Sequence, residues 1–266
     1  MQLIPQLLRG NLVFRRFWLG QTISLFGDQI TMLAVPLAAV LVLHANAAQM
    51  GYLIAAELVP NLFFALHAGA WVDRRGRRRV MMIFCDLGRA GLIATIPLAY
   101  AFDALVIQQL YVVAFLVGTM TVFFHVSYSS LFVSIVPRES YVAANSFLAG
   151  SRAFSFVAGP SVGGILVQVL KAPFALVVDA FSYLVSALYL GSISPEEPTT
   201  EEAESGHVVA GVRFVWSNSA MRASLLATAT INLFNFISGR GTASALPGRR
   251  GSRGCPTRCR PRLRSR

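Results

Sequence analysis

The sequence has few charged residues for its length. Charged side chains make up 13% of its 266 residues, whereas soluble domains carry roughly 25%. Hydrophobic residues reach 55%, and the mean hydropathy is +0.59. The charges that are present cluster between long apolar runs instead of recurring along helix faces. This composition excludes an ordinary water-soluble domain and indicates that lipid surrounds most of the chain.

Cysteine and catalytic motifs are equally scarce. The three cysteines are Cys85 in an apolar run and Cys255 and Cys259 in a basic segment, and they give neither a disulfide framework nor a zinc spacing. The sequence also has no dinucleotide-binding glycine loop, P-loop, H-E-x-x-H or G-x-S-x-G. We therefore predict that the protein is not an enzyme and uses no cofactor and no metal.

Acidic residues are absent from the last 30 positions, which hold nine of the 23 basic residues. The rest of the chain is nearly balanced, with 14 basic and 12 acidic residues. Most of its remaining arginines flank apolar runs, which is the pattern that sets the orientation of membrane helices. The net charge of +11 therefore does not predict a nucleic-acid partner.

Six apolar segments predict an all-α polytopic membrane protein. They cover residues 17–43, 50–72, 80–102, 105–133, 144–170 and 173–191. Each is close to or above the roughly 20 residues that cross a bilayer as a helix. Because the connectors are short, successive helices are predicted to be antiparallel neighbours in one bundle spanning residues 1–191.

The arginines lie on one side of this arrangement. That side holds Arg9, Arg15, Arg16, the run from residue 74 to residue 79, and Arg138. The other side holds only Asp103 and Lys171. The positive-inside rule therefore predicts a multi-pass protein of the cell membrane with a cytoplasmic N-terminus.

The chain beyond residue 191 changes character three times. Residues 192–219, with five glutamates, are predicted to be a cytoplasmic acidic linker with a short interfacial helix. Residues 220–236 resemble the start of a seventh span. Residues 237–266 form a basic tail rich in Arg, Gly and Pro, which is typical of a GC-rich gene read out of frame and predicts a truncated, disordered end. A genuine basic tail that binds anionic lipid is the alternative.

A distinctive loop joins the second and third predicted spans. Its glycines are predicted to allow close packing and a tight reversal, its aspartate to lie at the membrane border, and its arginines to stay in the cytoplasm. The residues are Gly69, Asp73, Arg74, Gly76, Arg77 and Arg78. Their spacing resembles the signature loop of the major facilitator superfamily, G-x-x-x-D-R-x-G-R-R.

The fifth segment carries a second pattern. Small residues recur every fourth position and predict a stripe where another helix approaches closely, and a proline is predicted to bend the helix. The stripe is Ser151, Ser155, Gly159 and Gly163, and the proline is Pro160. Together with Gly150 and Gly164, the G-P-x-x-G-G sequence resembles the antiporter motif of exporters in the same superfamily.

The resemblance covers residues 11 to about 236 and is strongest to the branch of enterobactin exporters and macrolide efflux permeases. It implies one half of a 12-helix fold in which two six-helix bundles rock around a small-molecule substrate. It also implies that Asp73 and the glycine-proline stripe contact the opposite bundle, so both would lack partners in this chain. The resemblance therefore implies efflux of a drug or siderophore-like molecule, and it implies that this chain is one half of the transporter and is inactive alone. A non-transport assembly partner and a homodimeric half-transporter are the alternatives.

Several ionisable residues fall inside the predicted spans. Gln21, Ser24, Asp28 and Thr31 recur at intervals of three and four, and this polar stripe is predicted to face a wet cavity. Glu57 and Asn61 are predicted to form a second cavity wall. A partly desolvated carboxylate can exchange a proton near neutral pH, so Asp28 and then Glu57 are candidates for proton coupling. Cavity lining or hydrogen-bonded packing is the alternative.

Three further groups of polar residues lie in the spans. Asp86 and Arg89, three positions apart, are predicted to form a structural ion pair near the cytoplasmic interface. Arg152 and Asp179 lie on consecutive spans, and whether they pair is open. His125 is predicted to be a hydrogen-bonded packing residue, with a proton relay as the alternative.

Overall fold

The computed structural model describes residues 11–193, 216–219, 221–224, 226–228 and 230–231. At positions 66, 70 and 73–75 the description covers the backbone alone. The chain divides into two compact units, Met1–His207 and Val208–Arg266. Most of the predicted linker and all of the predicted tail lie outside the described residues. The described part of the second unit is helical except at Asn218.

Six long helices make up the described part of the first unit. They are α1 Leu12–Leu41, α2 Ala47–Arg75, α3 Arg78–Ala101, α4 Ile107–Ile135, α5 Tyr141–Leu170 and α6 Ala172–Gly191, with a short 3-10 helix, Arg138–Ser140, before α5. Among the residues that the structure describes, α1, α3, α4, α5 and α6 are long and apolar enough to cross a membrane. The predicted all-α membrane fold is confirmed.

Polar caps set helix ends that lie outside the apolar runs. The side chain of Asn11 accepts a hydrogen bond from the Phe14 N–H at 2.9 Å, so α1 begins at Leu12 and not at residue 17. Asn46 and Gln49 form a reciprocal capping box at the start of α2. Gly76 ends α2 in the left-handed region, with φ of 63°, and only Arg77 separates it from α3. A glycine fits this tight reversal because it has no Cβ.

Successive helices are not, in general, the main packing partners. Helix α1 packs mainly on α5 and α6, α3 on α4 and α6, and α2 on α4. The prediction that consecutive helices are neighbours is therefore wrong for α1 and α2, for α2 and α3, and for α4 and α5, and it holds for α3 and α4 and for α5 and α6. Close backbone approach explains the difference. A Cβ added at Gly118 of α4 would lie 2.6 Å from the Glu57 carbonyl oxygen of α2, so this glycine brings the two helices together.

Arginines join three helix ends at one end of the bundle. Arg16, near the start of α1, donates to the Ser192 carbonyl at 2.6 Å, and Arg79, at the start of α3, donates to the Ile193 carbonyl. Both carbonyls follow α6, where the last carbonyls of a helix need donors and attract cations. The arginine-rich starts of α1 and α3 thus lie beside the end of α6, as alternating helix directions require.

The bundle has two apolar cores with a polar layer between them. One core, near the arginine-rich end, includes Phe14, Phe17, Met82, Leu131 and Leu190. The other, toward the opposite end, includes Ala34, Ile93, Leu110 and Leu176. Where the two cores adjoin, the inward-facing side chains of α1, α3 and α6 are largely polar. We call these residues the polar layer, and they are Gln21, Ser24, Asp28, Asp86, Arg89, Asp179, Ser182, Tyr183 and Ser186.

Candidate functional site in the polar layer

An ion pair lies at the centre of the polar layer. Asp86 Oδ1 and Arg89 Nη2 form it across one turn of α3, with the two side chains 0% and 3% exposed. The Arg89 guanidinium carbon also lies 4.3 Å from the ring centroid of Phe124 and 4.4 Å from that of Tyr183, in cation–π geometry. The pair lies deep in the bundle, since Asp86 is eight residues into α3, roughly 12 Å from its start.

Asp28 connects the layer to a small cleft. Its Oδ1 accepts a hydrogen bond of 2.5 Å from the Tyr183 hydroxyl. The half-buried Asp28 also lines a cleft of about 30 Å³ together with Gln21, Arg89, His125 and Arg152. A cavity needs only about 10–15 Å³ by this measure to hold a water molecule, so the cleft has room for water.

The polar stripe of α1 does not face a wide cavity. Gln21 and Ser24 are only 6% and 4% exposed, and Thr31 donates a hydrogen bond to Asp179. Two of the four stripe residues, Gln21 and Asp28, line the small cleft, and the wet cavity stays a prediction. Close packing of α6 accounts for the low exposure of Gln21 and Ser24, since a Cβ added at Gly20 would lie 3.1 Å from the Tyr189 Cβ.

Asp179 is the carboxylate of α6 for which the sequence left open whether it pairs with Arg152. It is 0% exposed, and its two oxygens accept hydrogen bonds from the hydroxyls of Thr31 and Ser182, the latter at 3.0 Å. Within the described residues it forms no ion pair with Arg152, whose side chain is exposed. The sequence did hold a signal. Asp179, Ser182, Tyr183 and Ser186 recur at three and four positions, which is a polar stripe on one face of α6.

Glu57 and Asn61 of α2 and His125 of α4 have exposed side chains, and we call the surface that carries them the open side of the bundle. Glu57 is close enough to Asp28 for their charges to interact. His125 lines the cleft beside Asp28. The open side therefore brings together both carboxylates that the sequence singled out, with only Asp28 hydrogen-bonded to the layer.

The small-residue stripe of α5 packs against α1. Trp18 Nε1 donates to Ser151 Oγ at 2.8 Å, and a Cβ added at Gly159 would lie 2.5 Å from the Gln29 Cβ. The expectation that this stripe lacks a partner in the chain is therefore wrong, because α1 fills that role. An added Cβ would meet nothing within 4 Å at Gly150 or Gly164. Helix α5 continues through the exposed Pro160.

The signature loop is described mainly through its backbone. Gly69 lies inside α2, and a Cβ added there would meet nothing within 4 Å, so the predicted close packing at Gly69 is not found among the described residues. Arg77 is exposed and Arg78 is half-buried in the connection to α3. The side chains of Asp73 and Arg74 lie outside the described part, and the gating contact of Asp73 stays a prediction.

Comparison with known proteins adds family relationships. The sequence profile of the Major Facilitator Superfamily matches residues 17–247. The Multidrug efflux pump Tap of Mycolicibacterium fortuitum is 30% identical, over 74% of this chain and 50% of that protein. Tap of Mycobacterium tuberculosis is 26% identical over 74% and 49%, and the Uncharacterized MFS-type transporter YkuC of Bacillus subtilis is 27% identical over 68% and 42%.

The chain thus spans about half the length of the curated relatives it matches. These relatives are named as efflux pumps and transporters, which confirms the prediction that the chain is not an enzyme. The profile covers all six helices apart from the first residues of α1. The chain is a multi-pass membrane protein and belongs to the major facilitator superfamily.

Proposed function

We propose that the chain forms the N-terminal bundle of a proton-driven exporter of small, drug-like or siderophore-like molecules in the cell membrane. The polar layer is the observation that carries this proposal. It places three carboxylates and one guanidinium midway along helices that cross a bilayer. A charged side chain at the centre of a membrane helix costs about 2.5–3.5 kcal/mol on insertion scales, and such residues mark ion and proton pathways.

The direction of transport is inferred from the relatives and from α5. Two of the relatives described above are named as multidrug efflux pumps, and residues 150–164 resemble the antiporter motif. Proton antiport suits export because protons that enter the cell down their gradient can drive a solute out. Orientation follows from the arginines, and we propose that the starts of α1 and α3 lie in the cytoplasm.

The substrate site is proposed to lie between this bundle and a second one. Drug-sized ligands need pockets of roughly 300–1,000 Å³, far larger than the cleft of about 30 Å³ in the polar layer. The exposed Glu57, Asn61 and His125 border the open side next to that cleft. A second bundle facing them would enclose the larger cavity that a substrate needs.

A groove between α1 and α5 is the proposed seat of that second bundle. It measures about 790 Å³ and is lined by aromatic side chains, among them Trp18, Phe26, Phe147 and Phe154. Phe154 and Phe156 are 63% and 66% exposed, and Gly150 and Gly164 leave space for a helix backbone. The motif residues that do not pack on α1 are therefore available to another bundle.

Transport in proteoliposomes tests the proposal. The chain as printed is compared with an extended version in which a second six-helix bundle follows residue 236. An imposed proton gradient should move a lipophilic fluorescent dye only with the extended version, and a protonophore should abolish the movement. Dye movement at the same rate with and without the proton gradient would refute proton coupling.

The same assay separates the alternatives. Transport by the chain alone would favour a homodimeric half-transporter. Transport by neither version, together with crosslinking to a different membrane subunit, would favour an assembly partner.

A further inference from the structure

We propose that Asp179 of α6 holds the transported proton and that Asp28 of α1 passes the proton between Asp179 and the cleft. This inference rests on the proposed function and assigns its proton-binding residue. It differs from the sequence-based expectation, which placed the proton on Asp28 or Glu57.

The charges around Asp179 do not balance. Helix α1 contributes Asp28, α3 contributes Asp86 and Arg89, and α6 itself contributes Tyr183 beside Asp179. Arg89 is bound to Asp86, with which it forms the only ion pair of the polar layer among the described residues. Asp28 and Asp179, with Glu57 of α2 beside Asp28, thus remain without a cation at ion-pair distance among the described residues. Two like charges in a site of low dielectric are relieved when one carboxylate binds a proton.

The surroundings of the two carboxylates decide where the proton resides. Asp28 is half-buried, lines the cleft, and shares that cleft with Arg89 of α3, Arg152 of α5 and His125 of α4. Asp179 is completely buried, and its oxygens meet only neutral hydroxyls, those of Thr31 and Ser182. Asp28 is therefore open to water in the cleft, whereas Asp179 is shut off from it. The neutral acid form is favoured at Asp179.

The hydrogen bonds of Asp179 are compatible with both its ionised and its protonated form. A hydroxyl group can donate to a carboxylate and can accept from the O–H of a carboxylic acid. Thr31 lies on α1 and Ser182 on α6, so the proton state of Asp179 changes the bonds that join these two helices. Gly27 holds the arrangement together, because an added Cβ there would overlap both Asp179 and Ser182. A proton on Asp179 is thereby coupled to the contact between α1 and α6.

The cleft provides a route for the proton. Gln21 lines it next to Asp28, is 6% exposed, and has an Nε2 group without a partner among the described residues. A buried donor of this kind aimed at a cleft of water size is the setting of an ordered water. A hydronium ion there gives its proton to Asp28 and becomes water. Asp28 then transfers the proton to a carboxylate oxygen of Asp179 and is ionised again.

Infrared spectroscopy of the full chain in lipid nanodiscs tests the inference without any transport. A protonated carboxyl group buried in the membrane gives a C=O stretching band that shifts in deuterated buffer. We expect this band at neutral pH in the unmodified chain and its loss in Asp179→Asn. It should persist in Asp103→Asn, which alters an exposed carboxylate in the loop between α3 and α4.

A band that survives in Asp179→Asn, or that disappears in Asp103→Asn, would overturn the assignment. Thr31→Val provides a second measurement should Asp179→Asn fail to fold. The loss of one hydrogen bond to Asp179 should move the band to a different frequency, and an unchanged frequency would also overturn the assignment. Because these spectra report protonation and the dye assay reports transport, failure of one is distinguishable from failure of the other.

Discussion

At the residue scale, position 27 of α1 shows how a missing side chain shapes the polar layer. Its Cβ would occupy the space of Asp179 and Ser182, so only glycine allows α6 to place those two side chains against α1. The sequence shows a glycine before an aspartate at positions 27 and 28. It cannot show that Asp179 and Ser182, far along the chain, pack against that glycine. Tertiary packing alone brings them together.

We expect Gly27→Ala to destabilise the bundle by about 1–3 kcal/mol, because overpacking forces side chains and helices apart. Thermal unfolding in detergent measures the change. Gly91→Ala on α3 is the matched control, since an added Cβ meets nothing within 4 Å there, and alanine favours a helix interior over glycine by about 1 kcal/mol. Equal melting temperatures for Gly27→Ala and the unmodified chain would contradict the close approach of α1 and α6.

Arg89 gives the second prediction at this scale. Arg89→Met leaves Asp86 buried without a counter-charge, and we expect a loss of about 3–5 kcal/mol in unfolding free energy. The double variant Asp86→Asn with Arg89→Met should lose less, because it removes both charges. Arg77→Met, in the exposed connection to α3, should change little. A double variant less stable than Arg89→Met would contradict the pairing. This pair was predictable because both residues lie on one helix.

At the scale of the helices, the sequence predicted where the helices lie and how many there are better than it predicted which helices pack together. The apolar runs located all six helices, since each run must match the membrane thickness. Their ends moved by a few residues where polar caps such as Asn11 and Asn46 lie outside the runs. The partners of each helix depend on where small residues permit close approach. Gly118 and Gly159 are visible in the sequence, but the helix that each one meets is not.

The two faces of α5 give a prediction at this scale. Gly159→Leu should strongly destabilise the bundle, because its side chain would collide with Gln29 of α1. Gly164→Leu, on the same helix, should leave the melting temperature nearly unchanged, since an added Cβ there meets nothing within 4 Å. The same variant should impair transport by the extended version if a second bundle packs on that face. Equal destabilisation by both variants would contradict the division of α5 into two faces.

At the scale of the whole molecule, the arginines and the polar layer together define a direction across the membrane. Arg16 and Arg79 join the starts of α1 and α3 to the end of α6. Their charges favour the cytoplasmic side, and the polar layer lies between the two apolar cores. The six helices of the first unit were predictable from hydropathy, whereas the orientation stays a prediction from charge. Asp179 was not assigned a role, because its environment exists only after three helices have packed.

We expect Arg16→Gln combined with Arg79→Gln to weaken the hold on the end of α6 without unfolding the bundle. Each hydrogen bond from a charged donor contributes about 1.5–3 kcal/mol, while the apolar cores stay intact. Hydrogen exchange should rise at the last turn of α6 and stay unchanged near Leu176, in the core at the opposite end. Faster exchange throughout α6 would show that the two arginines do more than fix its end.

The central claim is a bundle of six membrane-crossing helices with its arginine-rich end in the cytoplasm, and cysteine labelling in intact cells tests it most directly. In a chain with Cys85, Cys255 and Cys259 replaced, a membrane-impermeant maleimide should label Asp103→Cys in intact cells. It should label Arg77→Cys only after the cells are permeabilised. Labelling of Arg77→Cys from outside intact cells, with Asp103→Cys protected, would contradict the account.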